Sequence, residues 1–312
     1  MEDLIWIGEQ RRSQWRRVAH GVHLHRDVVD NLAARLRAWQ YALPFWSSFT
    51  GLTAAALRGW WLPPLPRDLP LFVASGRAAR MSRPGLHVCR HNTLPPWELV
   101  DGVRVPAAAE TVLACARDLE LLDVVLIGDA ALHAGDATRD QLLAVSRLRR
   151  RGAPLLRRAI PLMDGRAESV FEGLLRVLHV VCGISVEAQH VVVDPSGQVI
   201  ARGDLLLVGT RMLHEMDGGH HRSPVQQRRD LRRERRLLSA AYHRRGFTSA
   251  DVLTAPVSII RDAERSLGLE HDPDRLRPWY SLLRDSLFMP SGRRRLELRL
   301  GFPGETAEEP QA

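Results

Sequence analysis

The stretch Val199–Asp217, VIARGDLLLVGTRMLHEMD, decides how the second half of this chain folds. Two alternating segments, 199–208 and 211–217, flank Gly209-Thr210. That pair suits a two-residue hairpin loop, because glycine at the first position fits a type II′ turn. With 208 facing 211, Asp204 lies directly opposite Glu215. Both residues keep the same parity from the turn, so their side chains leave one face of the sheet. The Cβ atoms of such a pair stand roughly 5 Å apart. Two carboxylates so placed repel each other unless one is protonated or a cation sits between them. A divalent metal is the most economical cation, and hard oxygen donors favour Mg²⁺ or Mn²⁺ over zinc. The alternative is an exposed hairpin whose carboxylates are merely solvated. The same register sets Arg202 opposite Asp217, an oppositely charged pair that would support the site.

Working outward, residues 167–181 carry apolar side chains at 170, 171, 174, 175, 178 and 181, the spacing of an amphipathic helix. Glu168 then falls in its first turn, where the helix dipole alone would favour a carboxylate. Ser185–Val193 alternates like a strand and ends in the turn Asp194-Pro195-Ser196-Gly197. After the hairpin comes Asp217-Gly218-Gly219-His220-His221-Arg222. The glycines let the chain turn sharply and exclude a helical HExxH zinc motif. Ser223-Pro224 supplies an N-cap and a first-turn proline for a helix over 225–241. That helix carries Arg228, Arg229, Asp230, Arg232, Arg233, Arg235 and Arg236. Arginines on successive turns can neutralise phosphates along a nucleic-acid backbone, or they can form a solvated face. Tyr242–Phe247 predicts a last strand, and Ser249–Leu253 a further helical start.

Composition bounds the rest. A chain of 312 residues with 45% apolar residues can hold two domains. No run of about 18 uncharged apolar residues predicts a membrane span. Met1-Glu2-Asp3-Leu4 lacks a basic segment followed by an apolar one, so the reading is no signal peptide and a cytoplasmic location. Cys89, Cys115 and Cys182 are far apart and without a CxxC, which argues for three buried small hydrophobes rather than disulfides or a zinc ribbon. The net charge of +8 and the pI of about 10.6 suit an anionic partner such as DNA or another nucleic acid. All 44 lysine-plus-arginine positions are arginine, so no chemical step can use a lysine.

In the first half, Trp15-Arg16-Arg17 precedes His20–His25, which alternates like a strand after Gly21. Helical spacing marks 28–43, 50–57 and much of 106–150, with strands at Leu71–Val73 and Leu86–Val88 and prolines 63, 64, 66 and 70 between. Residues 147–166 hold two prolines, two glycines and seven arginines, which predicts a domain boundary. The expected organisation is a smaller α+β domain over 1–150, a linker at 151–166, an α/β domain over 167–290 and a disordered tail over 291–312.

Glu168-Ser169, Arg202-Gly203-Asp204, Glu215-Met216-Asp217-Gly218-x-x-His221 and Asp230-x-x-Arg233 together resemble bacterial proteins related to the very-short-patch-repair endonuclease, within the PD-(D/E)XK superfamily. The resemblance covers about 85 residues. Residues 12–150 are more loosely similar to the N-terminal part of abortive-infection type IV antitoxin proteins, through Trp15-Arg16-Arg17 with Gly21-Val22, residues 48–59 and residues 105–116. In those relatives a winged helix-turn-helix comes first, and here the chain starts almost at the wing.

The first resemblance implies a restriction-endonuclease-like α/β domain, with a central mixed sheet flanked by helices. It implies a Mg²⁺ or Mn²⁺ ion held by Glu168, Asp204 and Glu215, with the Met216 carbonyl as a further ligand. The superfamily's lysine falls at Asp217. Water activation or leaving-group protonation then passes to His221, with His220 beside it. Arg222, Arg229 and Arg233 are the expected nucleic-acid contacts, and Arg202 and Asp230 the supporting residues. The expected function is a metal-dependent DNA endonuclease. The alternative is a non-catalytic DNA-binding regulator, antitoxin-like, that keeps a nuclease fold. Convergence of Glu168, Asp204, Glu215 and His221 would favour turnover. A Glu168 that points away, or an arginine in the metal's place, would favour binding alone.

Overall fold

The computed structural model describes residues 4–77, 79, 81–194, 196–217 and 233–301. In the first half, β1 (Ile5–Ile7) pairs antiparallel with β3 (Val22–His25), which pairs antiparallel with β2 (Trp15–Ala19). Gly21, at φ +69°, makes the tight connection that the sequence predicts there. Helix α1 (Leu32–Gln40) begins where the Asn31 side chain accepts the Ala34 N–H at 2.9 Å. A second sheet joins β4 (Ser48–Phe49), β5 (Leu71–Gly76) and β6 (Leu86–His91), with α2 (Gly51–Leu57) between its first two strands. The hairpin of β7 (Trp97–Val100) and β8 (Val103–Pro106) follows. Leu24, Leu36, Phe49, Val73 and Val105 meet in one core beneath these strands.

Helices α3 (Ala108–Cys115), α4 (Leu121–His133), α5 (Arg139–Ser146) and α6 (Ala153–Ala159) come next. They share a larger core with the second half of the chain, in which Leu126, Leu156, Leu174, Leu205, Ile259 and Trp279 are all buried. The expected linker at 151–166 is therefore corrected: it is helix α6 and a following 3₁₀ turn. The reason is that Leu156, Ala159, Ile160 and Met163 fall at core-facing positions between the arginines. Gly152, at φ +86°, starts this helix so close to α3 that a Cβ there would stand 2.7 Å from the Leu113 carbonyl oxygen.

The second half contains α7 (Val170–Val181), β9 (Val186–Val193), β10 (Val199–Leu207), β11 (Met212–Met216), a helix whose described part is 233–239 (α8) and β12 (His243–Phe247). The strands lie in the order β12-β11-β10-β9, antiparallel except for the parallel pair β11–β12. The predicted hairpin register is present, with Leu205 facing His214 and Leu206 facing Leu213. Its loop differs from the predicted one. Thr210 donates its N–H to the Leu207 carbonyl at 3.1 Å, so the turn is Leu207–Thr210 with Gly209 third, at φ +89°. Both strands stop one residue earlier, which leaves the register unchanged.

Helices α9 (Ser249–Thr254), α10 (Pro256–Leu267), α11 (Arg277–Asp285) and α12 (Pro290–Leu300) complete the fold. The tail expected to be disordered from Ser291 is instead helical through Leu300, because Leu296 is buried and Arg299 bonds Glu120 at 2.8 Å. Residues 302–312 of that expectation lie outside the described residues. Among the described residues no helix is long and apolar enough to cross a membrane.

A buried ion pair ties the two halves. Asp129 on α4 accepts from Arg176 on α7 at 2.7 Å and from the Asp164 N–H at 2.6 Å. Burial raises the Asp129 carboxyl to about 6 even against the Arg176 charge. Asp129→Ala would leave a buried guanidinium unpaired. Urea unfolding at pH 8 should show a loss of about 3–5 kcal/mol. A loss under about 1 kcal/mol would contradict a shared core.

Candidate functional site

The hairpin places Asp204 and Glu215 on the rung next to the Leu205–His214 pair. Glu215 is 4% exposed and Asp204 is half-buried. Asp204 Oδ2 accepts the Met216 N–H at 2.8 Å. Its carboxyl is nevertheless pushed up to about 6, first by burial and then by the negative charges of Glu172 and Glu215. The like-charge crowding that the sequence predicts is present, and it includes a carboxylate that the sequence reading passed over.

That carboxylate is Glu172. Helix α7 starts one turn later than expected, with Ser169 as its N-cap and Glu172 in its first turn. Ser169 Oγ accepts the Glu172 N–H at 3.2 Å and donates to Oε1 at 2.9 Å. Glu172 Oε2 accepts from the Glu168 N–H at 2.8 Å and from Gln189 Nε2 of β9 at 2.9 Å. The Ser169-x-x-Glu172 spacing is a capping signal visible in the sequence. Glu168 lies before the cap, and its exposed carboxylate pairs with Arg202 at 2.6 Å. Arg202 therefore does not face Asp217. The reason is that β11 ends at Met216: the Asp217 N–H bonds the Phe247 carbonyl at 2.8 Å, and Asp217 lies against Gly246 and within 3.7 Å of Arg244.

Two arginines close on Glu215. Arg233 donates to its two oxygens at 2.6 and 2.9 Å, in a two-pronged pair, and also to the Arg202 carbonyl at 2.6 Å. Arg244 of β12 donates to Glu215 Oε2 at 3.0 Å. Arg233, expected to meet phosphate, thus points into the protein. Both Glu215 oxygens, expected to be metal ligands, are thus engaged by guanidinium groups. Among the described residues, no three of these carboxylates bring ligand atoms within 4.8 Å of one another. The expected convergence of Glu168, Asp204 and Glu215 is absent. His220, His221, Arg222, Arg229 and Asp230 lie outside the described residues.

The opposite face of β11 holds a feature that the sequence reading missed. His179 Nε2 of α7 and His214 Nδ1 are 2.9 Å apart, and His214 Nε2 is 3.2 Å from Asp262 Oδ2 on α10. Both imidazoles are fully buried, and burial pushes His179 down to about 3. This chain fixes β11 between two helices. Only the alternation of Leu213, His214 and Glu215 hinted that His214 would face the core.

Comparison with protein-family models, curated proteins and solved structures finds no match for this chain.

Because its folded-state affinity for a proton is raised, Asp204 makes folding less favourable as pH rises from about 4 towards 6. Asp204→Asn removes that term. The variant should gain up to about 2–3 kcal/mol relative to wild type between pH 4 and pH 7.5, read from urea midpoints. An unchanged difference at the two pH values would contradict the crowding described above.

Proposed function

We propose that this protein is a metal-dependent phosphodiesterase acting on DNA, built on a restriction-endonuclease-like unit of the PD-(D/E)XK type. The observation that carries this reading is the Asp204–Glu215 pair, opposed in register on one face of β10 and β11 with Glu172 close by. The mixed four-stranded sheet with helices against it supports the reading, as it is the arrangement expected of such a unit. Glu172 supplies the third carboxylate that the resemblance assigns to Glu168.

The donor chemistry fits a hard divalent cation. Asp204 is raised to about 6 by burial and by the charges of Glu172 and Glu215, and although these three carboxylates do not converge within 4.8 Å here, an ion would have to draw them together. Mg²⁺ or Mn²⁺ held by Glu172, Asp204 and Glu215 would lower the pKa of a bound water and stabilise charge on the phosphate. The protein's own part is to hold these groups. The Ser169 cap and Gln189 orient Glu172, and the Met216 N–H orients Asp204. Arg233 and Arg244 neutralise Glu215, so a metal and Arg233 compete for the same carboxylate. No lysine is available for proton transfer, which leaves that role to His221 with His220.

A second reading is a DNA-binding regulator without turnover. It is favoured by Arg233 on Glu215 and by Glu168, whose carboxylate pairs with Arg202 rather than joining Asp204 and Glu215. Plasmid nicking in Mg²⁺ or Mn²⁺ separates the two. Cleavage by wild type, abolished by chelator and reduced at least about 100-fold in Asp204→Ala and Glu215→Ala, is the expected result. No cleavage, with salt-sensitive DNA binding that survives both substitutions, would establish the regulator instead.

A further inference from the structure

His87 and Cys89 stand two apart on β6, so both side chains leave the same face of that strand. Asp118 meets them from the turn after α3, where its N–H bonds the Cys115 carbonyl at 3.1 Å. The ligand atoms of these three residues all lie within 4.8 Å of one another, and no other such group occurs among the described residues. Cys89 and Asp118 are buried, and His87 is half-buried. Among the described residues no side-chain hydrogen bond ties up any of the three, which leaves their ligand atoms available to an ion.

We propose that His87, Cys89 and Asp118 form a zinc-type metal site that fastens β6 to the end of α3. The donor set is one thiolate, one imidazole and one carboxylate, a mixture that suits a borderline-soft cation rather than Mg²⁺. Ligand atoms around tetrahedral zinc are roughly 3.3–3.8 Å apart, so the trio needs to close by only about 1 Å. Charge also balances, since the thiolate and the carboxylate together offset a divalent ion. Two arginines, Arg117 and Arg151, lie close enough for their charges to act on His87 and Cys89, and Arg117 has its Nη1 on His91 Nε2 at 3.1 Å. Cys115, buried one turn before Asp118, is a further thiol within range of the charges on both Cys89 and Asp118.

The site is separate from the carboxylates of the β10–β11 hairpin, and its test keeps the two apart. Full-length protein purified without chelator should carry about one equivalent of zinc by elemental analysis. Replacement by Co²⁺ should give a thiolate-to-cobalt charge-transfer band with tetrahedral ligand-field bands. Cys89→Ser should abolish the charge-transfer band. His87→Ala and Asp118→Asn should each weaken Co²⁺ binding more than about tenfold, since losing even an outer partner of a metal ligand has that effect. Asp204→Ala should leave the bands intact. Folded wild-type protein that holds no zinc and shows no thiolate band at saturating Co²⁺ overturns the proposal, whatever the variants do. A band that persists in Cys89→Ser also overturns it.

Discussion

A carboxylate buried to the degree of Glu215 needs partners that offset its lost hydration, and the cationic pair that supplies them organises the second half of the molecule. Arg233 reaches it from α8, and Arg244 from β12. The parallel pairing of β12 with β11 is what brings Arg244 alongside, because Leu213 faces Arg244 and Glu215 faces Gly246. Gly246 then leaves room for Asp217: a Cβ there would overlap its carboxylate, 2.1 Å from Oδ2. Sheet order, a glycine and two arginines thus all answer to one buried charge. The other face of β11 is fixed just as firmly, by His214 between His179 and Asp262. A strand held on both faces gives its acidic residue a defined position.

Asp204 is treated differently. It lies beside Glu215, yet it receives one N–H and feels two neighbouring carboxylates. The cluster therefore has cations matched to Glu215 and none donating to Asp204 among the described residues. A half-buried carboxylate so placed carries a cost in stability.

The register of β10 and β11 was legible because alternation and a glycine turn constrain it together, and it survived a change of turn type. The cap at Ser169 is equally legible through Glu172, whereas Glu168, one residue before the cap, carries the acidic signal without the contact. The partner of Arg233 was not legible, since nothing local tells an inward arginine from one on a solvated face. The same abundance of arginine hides the core positions Leu156, Ile160 and Met163, so a buried helix carries the composition of a linker. Asp118 could not be joined to His87 and Cys89 from sequence, because the contact is made across elements that only the fold brings together.

In the proposed function, Asp204, Glu215 and Glu172 take a divalent cation in competition with Arg233. The most direct measurement is a titration of Mn²⁺ into full-length protein, followed by loss of the free-ion signal in electron paramagnetic resonance. The account predicts Mn²⁺ binding that is abolished by Asp204→Ala and strengthened by Arg233→Gln. Free Mn²⁺ throughout the titration of wild type, or binding indifferent to Asp204→Ala, would contradict it.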